Sequence, residues 1–280
     1  MTNPTRHRRL LSRYGRAASV ALALAAIFVL SAVAPQSAQA QKFELFYQFE
    51  GPPDGNWPAA ALTRDTNGNF YGTTLEGGAY TCPFYSGCGT VFKVDNSGTE
   101  TVLYSFCSEG CLDGALPEAS LVRDAAGNLY GTTLQGGDQS CDCGTVFKLN
   151  MAGKETVLHA FTGNPDGESP SSGLVMDAAG NLYGTTLFGG SASRGNGVVF
   201  KLDPSGTETI LHSFVGYPSD GERPYASLVQ DTAGNLYGTT YFGGVSGALE
   251  PSSNWIQAAI SRYFTTSSGH QTARNPRPVS

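Results

Sequence analysis

Charged residues are scarce in this sequence: they make up 14 % of its 280 residues, with 23 acidic and 17 basic side chains. Disordered chains are normally rich in charge, whereas 40 % of this chain is hydrophobic and 11 % is aromatic. The 36 glycines follow no every-third-residue period, which excludes a collagen-like triple helix. These absences leave a globular, turn-rich protein, which we expect to be all-β.

The sequence also lacks the short motifs that mark common enzyme classes. It contains no Gly-x-Ser-x-Gly turn, no His-Glu-x-x-His zinc motif, no phosphate-binding loop and no dinucleotide fingerprint. We therefore predict no catalytic residue, no metal ligand set and no resident cofactor. A non-enzymatic function is favoured over an enzymatic one.

Residues 1–40 have the features of an export signal. Five arginines and no acidic residue lie within the first 16 positions, an apolar run follows over residues 17–34, and an Ala-Gln-Ala sequence ends at Ala40. We expect cleavage before Gln41, and hence a secreted or extracytoplasmic protein (periplasm or cell surface) with no membrane span after cleavage. An uncleaved membrane anchor is the alternative, because the apolar run is just long enough to span a bilayer.

The net charge of the chain after residue 40 restricts the kinds of partner that it can bind. Five of the 17 basic residues but none of the 23 acidic ones lie in the export signal, so the remaining chain is more acidic than the net charge of −6. An acidic surface repels phosphate backbones, so we expect no nucleic-acid partner. A glycan or a cell-surface protein is the expected partner of an exported chain of this kind.

One unit recurs four times over residues 41–244. Its most regular block reads Asn-Leu-Tyr-Gly-Thr-Thr with small variations, and successive copies are 53–59 residues apart, starting at Asn69, Asn128, Asn181 and Asn235. Each copy follows an Asp-x-x-Gly turn, and three continue into strands resembling Gly-Thr-Val-Phe-Lys and Glu-Thr-Val-Leu. Four short strand candidates per unit predict one four-stranded antiparallel blade of a β-propeller.

The fourth unit lacks its Gly-Thr-Val-Phe strand, so we predict about four blades, the last incomplete, with a truncated larger ring as the alternative. A stray copy of the last strand lies at residues 43–49 and is predicted to close the ring as the fourth strand of the last blade. Residues 245–280 leave the repeat and predict a poorly ordered tail, in which residues 255–260 are a weak candidate for the missing strand.

These motifs carry a family resemblance. The block Asp-x-x-Gly-Asn-Leu-Tyr-Gly-Thr-Thr-x-x-Gly-Gly, with the two strands that follow it, resembles the bacterial GloVer (Gloeo/Verruco) tandem repeat. The resemblance implies an exported protein with a variable mode of anchoring, and it brings no established biochemical activity. We therefore expect a binding or surface-interaction module, with an enzyme acting on extracellular polysaccharide, or a non-functional fragment, as alternatives.

Six cysteines lie in the first two repeats and form three close pairs: Cys82 and Cys88, Cys107 and Cys111, and Cys141 and Cys143. An even number of cysteines in an exported chain favours disulfides. Zinc is the alternative, but structural zinc sites prefer Cys-x-x-Cys pairs, which are absent. All six should lie on one face of the propeller, and a Cys-x-Cys bridge is tight, so pairing outside the local loop stays open.

The same face carries an Asp-Gly pair in each loop between blades, and the four aspartates are Asp54, Asp113, Asp166 and Asp220. If their carboxylates converge at the mouth of the channel, they form a binding site that could hold calcium. If each carboxylate only caps its own turn, no ion is expected. Turn chemistry accounts for the whole pattern, and it is the interpretation we favour.

Two histidines vary a repeated position. His159 and His212 stand where the other copies have Tyr47 and Tyr104, which predicts a structural role for both. The sequence shows no pair of carboxylates that breaks the repeat, as an active site for polysaccharide hydrolysis would require.

Overall fold

The computed structural model describes residues 45–192, 195–216 and 220–243. Within these ranges the chain consists of strands and turns, without any helix, and so without a helix that could cross a membrane. The predicted export signal and the predicted tail lie outside the described residues. The expected all-β class is confirmed for the part that the structure describes.

The strands follow the sequence repeats. Repeat 1 contains β1 (Gly55–Asn56), β2 (Thr63–Arg64), β3 (Phe70–Thr74), β4 (Glu76–Gly77), β5 (Thr90–Val94) and β6 (Glu100–Ser105). Repeat 2 contains β7 (Val122–Arg123), β8 (Leu129–Thr133), β9 (Thr145–Leu149) and β10 (Glu155–Ala160). Repeat 3 contains β11 (Gly167–Glu168), β12 (Val175–Met176), β13 (Leu182–Thr186), β14 (Phe188–Gly189), β15 (Val198–Leu202) and β16 (Glu208–Ser213). Repeat 4 contains β17 (Gly221–Glu222), β18 (Val229–Gln230), β19 (Leu236–Tyr237) and β20 (Phe242–Gly243).

Each of the first three repeats forms one four-stranded antiparallel sheet. Their strand orders are β2-β3-β5-β6 in sheet 1, β7-β8-β9-β10 in sheet 2 and β12-β13-β15-β16 in sheet 3. Sheet 4 has only β18 and β19 among the described residues. The four-strand prediction is therefore confirmed for three repeats.

Two-residue ribbons, which the sequence did not predict, join the loops at one end of the sheets. β1 pairs with β4, β11 with β14 and β17 with β20, and a single bridge between Ala115 and Gln135 takes this place in repeat 2. Each ribbon joins the loop that enters a sheet to the loop between its second and third long strands. The expectation that these two kinds of loop share a face is confirmed, and we call this side the loop face.

The Asp-x-x-Gly-Asn-x-Tyr motif builds the hairpin between the first two strands of each sheet. In repeat 1 the Asp65 carboxylate accepts hydrogen bonds from the backbone N–H groups of Asn67 and Asn69, and from the Tyr71 hydroxyl at 3.1 Å. Gly68 adopts a φ of 90°, which suits glycine in such a turn. Asp124, Asp177 and Asp231 bond the corresponding Asn and Tyr residues, so four identical turns set the register of the first hairpin.

A glycine on the second strand of each complete sheet makes room for a phenylalanine on the third. A Cβ atom on Gly184 would lie 2.6 Å from the Phe200 ring, and Gly72 and Gly131 face Phe92 and Phe147 equally closely. The preceding repeat adds an edge-on ring, with Phe161 at 5.2 Å from Phe200 between ring centroids. Close packing of this kind stabilises each sheet against its neighbour.

Residues 45–50 take the place of such a preceding strand beside sheet 1. The ring of Phe49 packs edge-on against Phe92 at 4.9 Å, and that of Phe46 against Phe70 at 5.8 Å. Residues 45–50 form no strand, but the third strand with which the predicted closing strand would pair lies outside the described residues, so ring closure stays a prediction. Ring packing holds this segment against sheet 1, together with hydrogen bonds from Tyr47 and Glu50 to the Asp54 carboxylate.

Hydrogen bonds also connect different repeats. The hydroxyls of Thr73 and Thr132 donate to backbone carbonyls of the next repeat, at 3.0 Å and 3.3 Å. The N–H of Gly173 in repeat 3 donates to Ser227 of repeat 4 at 2.9 Å. Repeats 2 and 4 also touch directly, since the Tyr225 hydroxyl donates to Glu118 at 3.0 Å. Contact between alternate repeats requires a curved arrangement, because a straight stack would keep them apart.

Candidate functional site

The four aspartates predicted as binding residues all lie on the loop face, each at the start of a ribbon. The Asp54 carboxylate accepts hydrogen bonds from the Tyr47 hydroxyl at 2.9 Å and from the Glu50 N–H at 3.0 Å. Asp113 accepts from the Tyr104 hydroxyl at 2.7 Å and from the Ser108 N–H at 3.0 Å. Each carboxylate thus joins the end of one sheet to the loop that leads into the next.

The third and fourth aspartates bond histidines in the same way. Asp166 accepts from the Thr162 N–H at 2.9 Å and lies 3.3 Å from His159 Nε2. Asp220 lies 2.8 Å from His212 Nε2 and accepts from the Gly221 N–H at 2.8 Å. No group of metal-ligating side chains found among the described residues contains two of the four aspartates. The shared calcium site therefore stays a prediction, while local bonds of the kind expected for turn residues are present at every copy.

A glutamate that the sequence reading missed completes three of these networks. Glu100, Glu155 and Glu208 begin the last strand of sheets 1, 2 and 3, and the Oε1 atom of each is buried without a hydrogen-bond donor. Burial, then the nearby Asp113 and Glu109 carboxylates, raises the pKa of Glu155 to about 8. Burial and Asp54 raise the pKa of Glu100 to about 7. The sequence contained this signal, because the last strand begins with glutamate in each of the three repeats that have that strand.

The network of repeat 3 differs because a histidine replaces the tyrosine. His159 Nε2 lies 3.3 Å from Asp166 Oδ2 and 3.8 Å from Glu208 Oε2. Burial and a hydrogen bond with Asp166 raise the pKa of Glu208 to about 7. Burial lowers the pKa of His159, but the two carboxylates outweigh it and raise the value overall. Burial raises the pKa of Asp166, but its hydrogen bonds with His159 and Glu208 lower it overall, so Glu208 releases its proton at a higher pH than Asp166 does.

The sequence predicted no pair of carboxylates that breaks the repeat, and the structure adds a pair, Asp166 and Glu208, that occupies repeated positions. Unequal proton affinities in two adjacent carboxyl groups are what acid–base catalysis requires. The same Asp–Glu neighbourhood recurs in repeats 1 and 2, however, where Asp54 and Asp113 raise the pKa values of Glu100 and Glu155. Recurrence at three sheet junctions is typical of a structural network.

The cysteines form three local disulfides, Cys82–Cys88, Cys107–Cys111 and Cys141–Cys143. The option that Cys141 or Cys143 pairs outside its loop is wrong, because the loop turns sharply between them. Asp142 adopts a φ of 56°, and its carboxylate accepts a hydrogen bond from the Gly136 N–H. No cysteine is left free in the structure.

Four exposed aromatic side chains lie in the loops of repeat 1, and repeat 4 exposes Tyr225, Tyr241 and Phe242 in its loops and ribbon. Trp57, Tyr80, Phe84 and Tyr85 are all exposed, Phe84 completely and Trp57 to 65 %. Trp57 directly follows β1, and the other three lie between β4 and β5, so all four belong to the loop face. The polar side chains of Asn56, Glu76 and Ser86 hydrogen-bond one another in the same two loops.

The exposure of Trp57 is not imposed by the repeat. Trp57 and Leu116 occupy the same place after the ribbon and share a left-handed φ of 59° and 58°. Leu116 is nonetheless 2 % exposed and belongs to the core. The Leu116 N–H donates to the Cys88 carbonyl in the loop of the preceding repeat, and the corresponding loop of repeat 4 lies outside the described residues.

Three solved structures are similar to this chain in part. A gluconolactonase from Xanthomonas campestris is 16 % identical, with a TM-score of 0.43, and the match covers 73 % of this chain and 60 % of that one. A luciferin-regenerating enzyme is 14 % identical, with a TM-score of 0.39, over 64 % and 52 %. The extracellular domain of a protein assigned to the hybrid two-component systems of B. thetaiotaomicron is 14 % identical, with a TM-score of 0.42, over 72 % and 21 %.

The match therefore spans about half to three fifths of the two enzymes, and likeness this distant carries no argument about activity. No curated protein matches the sequence. The model of the Gloeobacter/Verrucomicrobia repeat, in contrast, matches residues 31–250, which include every strand described above. The chain belongs to the Gloeobacter/Verrucomicrobia repeat family.

Proposed function

We propose that the chain is an exported β-propeller that binds a glycan through the loop face of repeat 1 and catalyses no reaction. The observation that carries this proposal is the exposure of Trp57, Tyr80, Phe84 and Tyr85 within two hydrogen-bonded loops. A propeller accounts for sheets that follow one another along the chain and for the contact between Tyr225 and Glu118. Export agrees with the three disulfides, which persist in oxidising compartments.

A sugar suits the chemistry of this surface. Exposed aromatic rings gain most when a partner covers them, and Trp and Tyr are frequent centres of binding energy. The faces of a sugar ring are apolar and its edge carries hydroxyls. Asn56, Glu76 and Ser86 supply donors and acceptors for those hydroxyls beside the rings. A cell-surface protein is the alternative partner.

A glycan array of the purified chain tests this proposal. We expect the wild-type protein to bind one class of glycan and the Trp57→Ala variant to lose that binding. The control is Met151→Ala, because Met151 is equally exposed but lies in a hairpin turn outside the loop face. The proposal fails if no glycan binds, or if Met151→Ala loses binding as Trp57→Ala does.

A polysaccharide-acting enzyme is the second candidate, and the carboxyl pair of Asp166 and Glu208 is the observation in its favour. If this pair is catalytic, hydrolysis of an extracellular polysaccharide should disappear in Glu208→Gln and persist in Glu155→Gln. If both glutamates belong to structural junctions, neither substitution alters hydrolysis, because the wild-type protein has none.

A further inference from the structure

Four of the six cysteine sulfurs meet at one place on the loop face. Cys82 and Cys88 lie in the loop between β4 and β5, and Cys107 and Cys111 lie in the loop that follows β6. All four Sγ atoms lie within 4.8 Å of one another, and Cys82 Sγ is 3.6 Å from Cys107 Sγ although the two belong to different disulfides. Sequence spacing gave no sign of this, because folding brings the two pairs together.

Such a cluster has the dimensions of a tetrahedral thiolate site. Zinc–sulfur bonds of about 2.3 Å in a tetrahedron place the sulfurs about 3.8 Å apart. The 3.6 Å between Cys82 Sγ and Cys107 Sγ is close to this value, and the two bonded pairs have to separate. Both loops are anchored independently of the sulfurs, since the Leu116 N–H donates to the Cys88 carbonyl at 2.8 Å and the Gly137 N–H to the Cys111 carbonyl at 2.8 Å.

The surroundings also suit a structural metal centre. Cys82, Cys88 and Cys107 are buried in the same core cluster as Phe106 and Ala115, while Cys111 is only partly buried and gives access from solvent. A closed, mostly buried set of four thiolates is the arrangement of structural zinc sites.

We propose that Cys82, Cys88, Cys107 and Cys111 form a zinc site when the two disulfides are reduced. Two molecules of a dithiol reductant supply the four electrons and four protons, and each becomes a cyclic disulfide. The zinc ion then displaces the four thiol protons and binds four thiolates. The cluster thus has an oxidised form with two disulfides and a reduced form with one metal ion, and both forms tie the same two loops together.

The Cys141–Cys143 pair provides the internal control. It occupies the loop between β8 and β9, corresponding to Cys82 and Cys88, and it belongs to no larger ligand group among the described residues. A dithiol should reduce it as well, but it offers only two sulfurs and so cannot complete a tetrahedral site.

The test is titration of the dithiol-reduced, desalted chain with Co²⁺ under anaerobic conditions, followed by displacement with Zn²⁺. We expect one Co²⁺ per chain with the intense visible bands of tetrahedral thiolate coordination, lost on adding one equivalent of Zn²⁺. Cys141→Ser with Cys143→Ser should retain the spectrum, and Cys107→Ser with Cys111→Ser should lose it.

Circular dichroism separates metal binding from unfolding. If reduction unfolds the chain and Zn²⁺ restores its β-sheet signal, the proposal is supported. If the reduced chain shows only weak octahedral Co²⁺ bands, or if it unfolds and Zn²⁺ does not restore it, the proposal is overturned. Glycan binding plays no part in these readouts, so they are independent of the proposed function.

Discussion

Sheets 3 and 4 begin with the same hairpin and ribbon, but the structure describes different side chains against their second strands. Both have an Asp-x-x-Gly-Asn hairpin, a ribbon and a glycine on the second long strand. In sheet 3 the glycine, Gly184, faces the Phe200 ring of β15. In sheet 4 a Cβ on Gly238 would meet Leu228 and no other described residue within 4 Å, and a cavity lined by Phe214, Leu228 and Gly238 lies there.

This difference shows which residues make a sheet junction. The Phe161 ring packs on Phe200, and Phe106 packs on Phe147. Phe214 is the next ring in this series, and among the described residues no ring of sheet 4 receives it. A glycine thus lies in or directly after the second strand of every repeat, and in the three complete sheets the third strand supplies the ring that packs against it.

The largest expected effect comes from removing the ring that packs against Gly184 in sheet 3. Phe200→Ala should lower the free energy of unfolding by about 3–5 kcal/mol, because it removes a buried ring and leaves a cavity. Phe214→Ala should cost less, about 1–3 kcal/mol, since that ring already borders a cavity. Urea denaturation measures both values, and equal losses would contradict the contrast between the two sheets.

Adding a methyl group to each of the two glycines should change stability differently in sheets 3 and 4. Gly184→Ala should destabilise by about 1–3 kcal/mol, because its Cβ would overlap the Phe200 ring at 2.6 Å. Gly238→Ala should be neutral or stabilise by up to about 1 kcal/mol, since only the mobile end of Leu228, at 2.8 Å, must move. A destabilisation by Gly238→Ala as large as that by Gly184→Ala would mean that a side chain packs against Gly238 as closely as the Phe200 ring packs against Gly184.

The junction between sheets 2 and 3 should make stability depend on pH. The pKa of Glu208 is near 4.5 in an unfolded chain and is raised to about 7 in the folded one. Its contribution is therefore fully present below pH 4.5 and is lost as the pH rises through about 7. The raised pKa of His159 acts in the same direction above its ordinary value of 6.5.

The Glu208→Gln variant should lose less stability than the wild type as the pH rises, because an amide does not ionise. Relative to wild type, the melting temperature of the variant should rise between pH 5 and pH 8. Glu222→Gln, at a glutamate in β17 outside this junction, is the control and should follow the wild-type curve. A wild-type melting temperature that increases from pH 5 to pH 8 in parallel with Glu208→Gln would show that Glu208 is ionised throughout.

Calcium should have the smallest effect. Each aspartate on the loop face already accepts hydrogen bonds from its own loop, so we expect millimolar calcium to leave the melting temperature unchanged relative to chelator. A bound ion at one hundred times its dissociation constant would stabilise by about 2.7 kcal/mol. A calcium-dependent rise that disappears in Asp113→Asn with Asp166→Asn would establish the shared site.

Local patterns predicted the parts of this fold that depend on local contacts. The Asp65 turn and the strands on either side of it follow from residues within seven positions of one another, so the sequence was sufficient. The ribbon between Gly55 and Gly77 escaped prediction because it joins loops more than twenty residues apart. The aspartate turns were anticipated for the same local reason.

Contacts between repeats were not predictable from one repeat. Glu208 reaches His159 and Asp166 across a sheet junction, and Cys82 reaches Cys107 from another loop. The residues within each set lie far apart along the chain, so their proximity could not be predicted from the sequence. The exposure of Trp57 was equally hidden, since the equivalent Leu116 is buried on the same backbone conformation.

Calorimetric titration of a glycan that binds the wild-type chain tests the central claim, recognition through the loop face of repeat 1, most directly. We predict that Trp57→Ala raises the dissociation constant at least tenfold, about 1.4 kcal/mol, while Met151→Ala leaves it unchanged. Equal affinities for wild type and Trp57→Ala, with the variant still folded by circular dichroism, would contradict the claim.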